Sequence, residues 1–280
     1  MSTLPRGFWS SPLLRWVAAG IVVVNGFFPA VWILFTSLKT EAELVHKPIT
    51  WWPAEPTLQN YVRAFSDQPL LHYLRNSLMV ATGATLLSLA VAALAAYAIA
   101  RLNLRRRQLI LTCIVASSMF PLVTLLVPIF ETMRALGWLN TYIALILPYV
   151  VLNLPVCTLV LVSFFQSIPR DLENAAMIDG CTRMGALWRV VLPLSAPGVF
   201  TAGILAFVNA WDEFLLALSL NSSPAVRTLP VGITLYQGEF SFPWPIISAA
   251  LIVAIVPIAL LIAVLQERVV GGLTQGGLKG

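Results

Sequence analysis

The sequence predicts an all-α integral membrane protein with six transmembrane helices. Of its 280 residues, 59% are apolar and only 10% are charged, and the mean hydropathy is +0.86. That composition is typical of chains whose helices lie mostly in lipid. A bilayer core of about 30 Å needs roughly 20 apolar residues in a helix, and long apolar segments recur along the whole chain.

Six segments meet this length. They run from about Trp16 to Leu38, Ser77 to Ala100, Leu109 to Phe130, Tyr142 to Phe164, Leu194 to Leu220 and Ile246 to Leu265. Prolines lie inside several of them and predict kinks, because proline removes a helical hydrogen bond. The resulting domain is a six-span segment, 16–265, between an N-terminal segment, 1–15, and a C-terminal tail, 266–280.

The basic residues predict the orientation of these spans. The densest cluster, Arg101, Arg105, Arg106 and Arg107, separates spans two and three, and cytoplasmic loops carry such an excess. With six spans, both termini and the loop 166–193 share that side, which then holds eleven Lys and Arg against six outside. The loops 39–76 and 221–245 are predicted to be external. Because the charges flank apolar segments, the net charge of +5 does not indicate nucleic-acid binding.

Span two carries small residues at every fourth position. They are Ala84, Ser88, Ala92, Ala96 and Ala100. Such a stripe lets another helix approach closely, so we interpret it as a packing face.

The loop 166–193 reads as two short helices joined by a turn. Pro169 suits a first helical position, Asp171 and Glu173 suit the first turn, and Gly180 suits the left-handed residue that ends a helix. Thr182 is a candidate cap for a second helix. The predicted apolar face of that second helix, which Pro193 is expected to stop, consists of Met184, Leu187, Trp188 and Val191.

The same loop resembles the EAA loop of ABC importer permeases. That motif is Glu-Ala-Ala, three residues, Gly, nine residues, Ile, one residue and Leu-Pro, and it is matched here by Asn174, Ala175, Ala176, Gly180, Val190, Leu192 and Pro193. Two positions depart from it, since Asn174 replaces the glutamate, with Glu173 just before it, and Val190 replaces the isoleucine. The first departure leaves open which side chain meets the partner.

The resemblance implies a type I ABC importer permease fold and a loop that docks in a cytoplasmic ATPase. The residues it assigns to ATPase coupling are Glu173, Asn174, Ala175, Ala176, Asp179, Gly180 and Arg183. Without the resemblance, the alternative is an amphipathic helix pair lying in the lipid headgroups.

Similarity to the maltose-type permeases of carbohydrate importers extends nearly from end to end. It includes "TSLKTEAEL", "PTLQNYVRAF", "NAWDEFLLAL", "RTLPVGI" and "GGLTQGGLKG". The resemblance implies a bacterial inner-membrane importer of a sugar, such as the disaccharides trehalose or maltose. Its partners would be a second homologous permease, two ATPase subunits that bind ATP and Mg, and an extracytoplasmic sugar-binding lipoprotein.

A sugar path should combine amide or carboxylate groups with aromatic rings inside the helix bundle. Span five offers Asn209, Trp211, Asp212 and Glu213, of which Asn209 and Glu213 share a helix face. The alternative is that these acids lie at the outer headgroups or pair with Arg227.

Two further regions are candidates on weaker grounds. Asn153 in span four is a second path candidate, although a membrane asparagine also bonds neighbouring helices. In the loop 221–245, the resemblance assigns Tyr236, Gln237 and Phe240 to contact with the binding protein, and the alternative is a plain connector.

The sequence contains no pattern that indicates catalysis, a cofactor or a metal. It lacks G-x-x-x-x-G-K-[ST], H-E-x-x-H and G-x-S-x-G, so a membrane enzyme is disfavoured and ATP is expected to be bound by a partner. A self-sufficient secondary carrier, for which inverted repeats are expected, and an ABC permease for a non-sugar solute remain the alternatives.

Overall fold

The computed structural model of this chain describes residues 12–238 and 241–276. Over those ranges the regular elements are helices, with no strands. The chain divides into two compact units, Met1–Pro69 with Leu235–Ile255, and Leu70–Thr234 with Val256–Gly280. The all-α prediction is confirmed.

Fourteen α-helices follow one another in the described residues. They are α1 Pro12–Ser37, α2 Glu41–Val45, α3 Gln59–Asp67, α4 Leu70–Arg101, α5 Arg107–Ser118, α6 Leu122–Ala135, α7 Ile143–Ser167, α8 Arg170–Ile178, α9 Arg183–Ala186, α10 Leu192–Leu194, α11 Ala196–Asp212, α12 Leu215–Leu220, α13 Leu229–Thr234 and α14 Trp244–Gly276. A π-helical stretch, Leu187–Val191, joins α9 to α10, and a 3-10 turn, Pro224–Val226, precedes α13.

In the first unit, the chain after α1 is folded back and held by a buried asparagine. The Asn60 side chain in α3 donates hydrogen bonds of 2.8 Å to the carbonyl groups of Ser37 and Lys39. These carbonyls belong to the last residue of α1 and to the second residue after it, where no intrahelical donor is available. The segment 39–76 contains α2 and α3, and its last part already belongs to α4, which begins at Leu70 and not at the predicted Ser77.

In the second unit, α4 packs against α7 and α11. The whole predicted stripe on α4 is buried, since none of Ala84, Ser88, Ala92, Ala96 and Ala100 is more than 4% exposed. Small side chains let the backbones approach, so the interpretation of this stripe as a packing face is confirmed.

Four helices are long and apolar enough to cross a membrane by themselves. They are Leu13–Ser37, Leu70–Arg101, Ile143–Ser167 and Trp244–Leu265. Two bent pairs raise the number to as many as six, namely α5 with α6, bent by 89°, and Arg183–Leu194 with α11, bent by 82°. The backbone of α14 continues to Gly276, past the predicted end of span six at Leu265.

Spans three and five are each interrupted. A kink was predicted from the proline in span three, whereas the prediction of span five as a single helix was wrong. Span three breaks between Ser118 and Leu122, where Pro121 has an extended backbone and cannot donate a hydrogen bond to the preceding turn. Span five breaks after Asp212, because Glu213 is extended, and it restarts as α12.

The expectation that Pro193 stops the second loop helix was also wrong. The helix continues to Leu194 through the π-helical stretch Leu187–Val191, with Leu192 N–H bonded to the Leu187 carbonyl. A π turn is wider than an α turn, which relieves the clash between a proline ring and the carbonyl four residues earlier.

Candidate functional site

The turn in the loop 166–193 has the geometry that the sequence predicts. Gly180 has φ of 93°, its N–H bonds to the Met177 carbonyl at 3.1 Å, and the Cys181 N–H bonds to the Ala176 carbonyl at 2.9 Å. This pair of bonds is the Schellman arrangement that closes a helix with a left-handed residue. Pro169, predicted at the first helical position, instead lies at the cap position, one residue before Arg170, where the helix begins.

The second helix of this loop begins at the predicted cap. The Thr182 hydroxyl accepts a 3.1 Å hydrogen bond from the Gly185 N–H, which satisfies one of the free donors at a helix start. Only half of the predicted apolar face is buried, because Leu187 and Val191 lie in the core while Met184 and Trp188 are exposed.

Glu173 faces the interior of the second unit, unlike most of the residues that the resemblance groups with it. It is 7% exposed and forms an ion pair of 3.1 Å between its Oε2 and Arg101 Nε. Its Oε1 accepts a hydrogen bond from the Tyr97 hydroxyl. In the sequence, Arg101 was identified only as part of a basic cluster and Tyr97 was not predicted, although their i, i+4 spacing places both on one face of α4.

The outer face of the loop carries the remaining motif residues. Ala176 is half-buried, and the exposed members are Asn174, Ala175, Asp179, Gly180 and Arg183. The apolar side chains of Leu172 and Ile178 are exposed beside them, Ile178 to 87%. A mixed surface with protruding apolar side chains is suited to contact with another protein.

Three of the five predicted path residues line one cavity of about 220 Å³ in the second unit. Its walls are Leu122, Tyr149, Leu152, Asn153, Asn209, Ala210 and Glu213. The Asn209 amide donates to Asn153 Oδ1 at 3.3 Å, and the Asn153 amide donates to the Ala206 carbonyl at 3.4 Å. The cavity therefore presents hydroxyl, amide and carboxylate groups between apolar walls, the chemistry that a sugar requires.

Glu213 shapes this cavity from the break in span five. Its carboxylate accepts hydrogen bonds from the Tyr149 hydroxyl at 2.6 Å and from the N–H groups of Leu216 and Ala217 at 2.8 and 3.1 Å. It thus caps α12. Arg227, the partner considered in the alternative, instead donates to the Ser222 carbonyl. The site prediction omitted Tyr149, although it lies four residues before Asn153 on the same helix face.

Trp211 and Asp212 do not line this cavity. Trp211 is 3% exposed and stacks on Phe207 with ring centroids 5.6 Å apart. Asp212 is exposed, and over the described residues it has no hydrogen-bond or ion-pair partner. The helix turns both side chains away from the face that Asn209 and Glu213 share.

The candidate contacts for the binding protein differ in exposure. Tyr236 is buried and its hydroxyl donates to the Ala64 carbonyl within the first unit, whereas Gln237 is exposed. Both line a polar cavity of about 360 Å³ together with Arg63, Asp67 and others. Phe240 lies outside the described residues.

Comparison with known sequences gives one family and several relatives. A family described as binding-protein-dependent transport system inner membrane component matches residues 68–274. The chain is 73% identical, over 98% of its length and 96% of the relative, to the sulfoquinovosyl glycerol transport system permease protein SmoH of Agrobacterium fabrum. It is 38% identical, over 96% of this chain and 97% of the relative, to the trehalose/maltose transport system permease protein MalG of Thermococcus litoralis. It is also 38% identical, over 93% and 95%, to the trehalose transport system permease protein SugB of Mycobacterium tuberculosis.

Comparison with solved structures gives the same fold. A bacterial ABC transporter involved in the import of the acidic polysaccharide alginate contains a chain that superposes with a TM-score of 0.79 at 20% identity, covering 95% of this chain and 99% of that one. A second alginate transporter structure, in complex with a periplasmic protein that binds an alginate pentasaccharide, superposes with a TM-score of 0.65. The predicted type I ABC importer permease fold is confirmed.

Proposed function

This chain belongs to the family of binding-protein-dependent transport system inner membrane components and is a sugar ABC importer permease, and from that premise we propose how it works and what it carries. It forms half of a translocation path with a second homologous permease. Two ATPase subunits bind ATP and Mg, and an extracytoplasmic lipoprotein delivers the sugar. The chain itself binds no cofactor and performs no reaction.

The loop 166–193 is the proposed contact with the ATPase. Its outer face, with Asn174, Asp179 and Arg183, would enter a cleft of that partner, and the exposed apolar side chains of Leu172 and Ile178 would be covered there. The main support for this proposal is the turn closed by Gly180, because it fixes the two short helices relative to each other. A helix pair lying flat in lipid headgroups has no need of a fixed turn between its helices.

The orientation follows from the same assignment. The basic loop between α4 and α5, both termini and the loop 166–193 lie in the cytoplasm of a bacterial cell, while α3 and α13 lie outside the inner membrane. Tyr236, Gln237 and Phe240 would then lie on the side from which the binding protein approaches, with Gln237 the more accessible of the two described residues.

The cavity between α7 and α11 is the proposed part of the sugar path in this subunit. Asn153, Asn209 and Glu213 would contact sugar hydroxyl groups when the path is open to one side and then to the other. The break at Glu213 places a carboxylate beside the two asparagine amides inside a span, where ionisable and polar side chains are costly to bury and for that reason indicate a functional site. Trp211 and Asp212 remain sequence-based candidates for a neighbouring part of the path.

The substrate we propose is a glycoside of the sulfoquinovosyl glycerol type. The relative named for that transport is 73% identical over nearly the full chain, whereas the two relatives named for trehalose are 38% identical. Two permeases that share most of their residues share most of the side chains that line a path, so this relative carries more weight. Trehalose or maltose is the second candidate.

The test is transport by the complete complex in proteoliposomes. The permease pair, the ATPase and the binding protein would be purified together, with sulfoquinovosyl glycerol, trehalose and maltose offered separately. We expect ATP-dependent uptake and binding-protein-stimulated ATP hydrolysis with sulfoquinovosyl glycerol. If only trehalose stimulated ATP hydrolysis, trehalose would be the substrate and not sulfoquinovosyl glycerol. Uptake by this chain without any ATPase would indicate a secondary carrier.

A further inference from the structure

A buried ion pair joins the coupling loop to the end of span two. Arg101 is the last residue of α4, and Glu173 lies in the first turn of α8. Their side chains are 4% and 9% exposed. In the other three ion pairs found among the described residues, the side chains are 42% to 66% exposed. Exposed pairs contribute little to structure, whereas a buried pair depends on both partners.

Arg101 also holds the end of a second span. Its Nη2 donates a 3.0 Å hydrogen bond to the carbonyl of Ile168, which caps the C-terminus of α7. A guanidinium near the last carbonyls of a helix satisfies an otherwise free acceptor and complements the helix dipole. One side chain therefore joins the ends of α4 and α7 to the start of α8.

Tyr97 completes this cluster from one turn earlier in α4. Its hydroxyl donates to Glu173 Oε1, while Arg101 contacts Oε2. Both carboxylate oxygens are thus engaged inside the permease, and Asn174, the next residue, is exposed. With its side chain only 9% exposed, Glu173 presents little surface to a second protein in this conformation.

We propose that Tyr97, Arg101 and Glu173 form a latch that makes α8 move as one body with the cytoplasmic ends of α4 and α7. Glu173 and Arg101 are then positioning residues, and Glu173 does not contact the ATPase. A rigid connection is required because a displacement of α8 reaches the sugar path only through packed or bonded elements. The inference rests on the proposed function, in which α8 receives the motion of the ATPase.

The test compares transport with ATP consumption in the complete complex carrying Glu173→Gln or Arg101→Gln. Both variants should retain the ATPase in a pull-down, but the sugar transported per ATP hydrolysed should fall by at least about fivefold, the lower range of allosteric coupling. In Arg101→Lys, which keeps the positive charge but loses the planar set of guanidinium donors, the sugar transported per ATP should fall less. Arg101→Glu alone and Glu173→Arg alone should each lower this ratio. The double variant that carries both changes should have a higher ratio than either single variant, because the two charges are again opposite.

The matched control is Glu131→Gln, which removes the exposed pair with Arg134 at 3.7 Å and should leave the ratio unchanged. Loss of ATPase binding in Glu173→Gln but not in Arg101→Gln would overturn the latch, because Glu173 would then be a direct contact. A ratio within about twofold of wild type in both variants would overturn it as well.

A second measurement separates the latch from the proposed function and covers variants that assemble poorly. Amide hydrogen exchange of residues 170–178 in the purified permease pair should become faster in Tyr97→Phe and Glu173→Gln, while exchange in α5 stays the same. Faster exchange combined with a wild-type complex that shows no stimulated hydrolysis would support the cluster and reject the proposed function. Unchanged exchange in both variants would reject the latch itself.

Discussion

The Tyr149 hydroxyl donates a 2.6 Å hydrogen bond to Glu213, joining α7 to the break between α11 and α12. Glu213 accepts the first free N–H groups of α12 with the same carboxylate. One side chain therefore does two things: it ends a membrane helix and presents a charged wall to the polar cavity.

We expect Tyr149→Phe to lower the free energy of unfolding by about 1.5–3 kcal/mol, the usual value for a hydrogen bond to a charged group. Thermal unfolding of the purified complex measures this loss. Asp212→Asn is the matched control, because the neighbouring carboxylate has no partner and its loss should not change the melting temperature. Equal melting temperatures for all three proteins would contradict the structural role of the pair.

Asp212→Asn is expected to lower sugar uptake while the complex assembles normally. Asp212 is exposed and without a partner over the described residues, so a change in uptake would reflect contact with the sugar or a neighbouring subunit and not loss of structure. Initial uptake rates in proteoliposomes measure the effect. A normal rate would favour the alternative that Asp212 lies at the outer lipid headgroups and does not contact the sugar. Trp211→Ala is a poor companion test, since deleting a buried aromatic ring costs about 3–5 kcal/mol of stability.

Gly180→Val should uncouple the ATPase without preventing insertion of the spans. With φ of 93°, a β-branched residue at this turn costs about 1–2 kcal/mol in backbone strain and places bulk at the proposed docking surface. Pull-down of the ATPase and binding-protein-stimulated hydrolysis are the measurements.

Gly137→Val is its control, because Gly137 also has a positive φ, of 70°, and a Cβ there also meets open space. It lies in the turn after α6, away from the loop 166–193. We expect similar strain but normal coupling in this variant. Wild-type coupling in Gly180→Val would mean that the loop is not the coupling element.

Single cysteines should react from opposite sides of the membrane at Arg106 and Ser66. Both positions are exposed: Arg106 directly precedes α5, and Ser66 lies in the last turn of α3. The native cysteines Cys113, Cys157 and Cys181 would first be replaced. An impermeant thiol reagent applied outside should label Ser66→Cys and not Arg106→Cys, and Ser223→Cys, which is half-buried, should label more slowly from the outside. Equal labelling of Ser66→Cys and Arg106→Cys would reject the orientation.

Gly198→Ala should destabilise the second unit more than Gly203→Ala does. A Cβ at Gly198 would lie 2.3 Å from Cγ of Phe164, whereas one at Gly203 would lie 3.3 Å from a Leu89 methyl group. Overpacking of this kind costs about 1–3 kcal/mol. The yield of assembled complex and its melting temperature measure the difference, and two equal values would show that Phe164 moves aside freely.

Local signals were enough to predict the features that depend on neighbouring residues or on the bilayer. Segment length and hydropathy located the apolar spans, because the bilayer requires about 20 apolar residues whatever the helix packs against. Gly180 and Thr182 were predicted correctly, since a left-handed turn and a helix cap depend on a few adjacent residues. The stripe on α4 was also predicted, because four-residue spacing alone sets a helix face.

Only the tertiary structure decided which polar groups meet. Glu173 was grouped with the outward residues, but Arg101, 72 positions earlier in the numbering, turns it inward. Span five was predicted to be continuous, but the Glu213 carboxylate accepts hydrogen bonds from α7 and α12 that compensate for the helical hydrogen bonds lost at the break. Such partners come from distant parts of the chain, and a buried polar group takes the conformation in which its hydrogen bonds are satisfied. Local pattern therefore determined where the helices lie, and long-range pairing determined where they break and which side chains face the partner or the path.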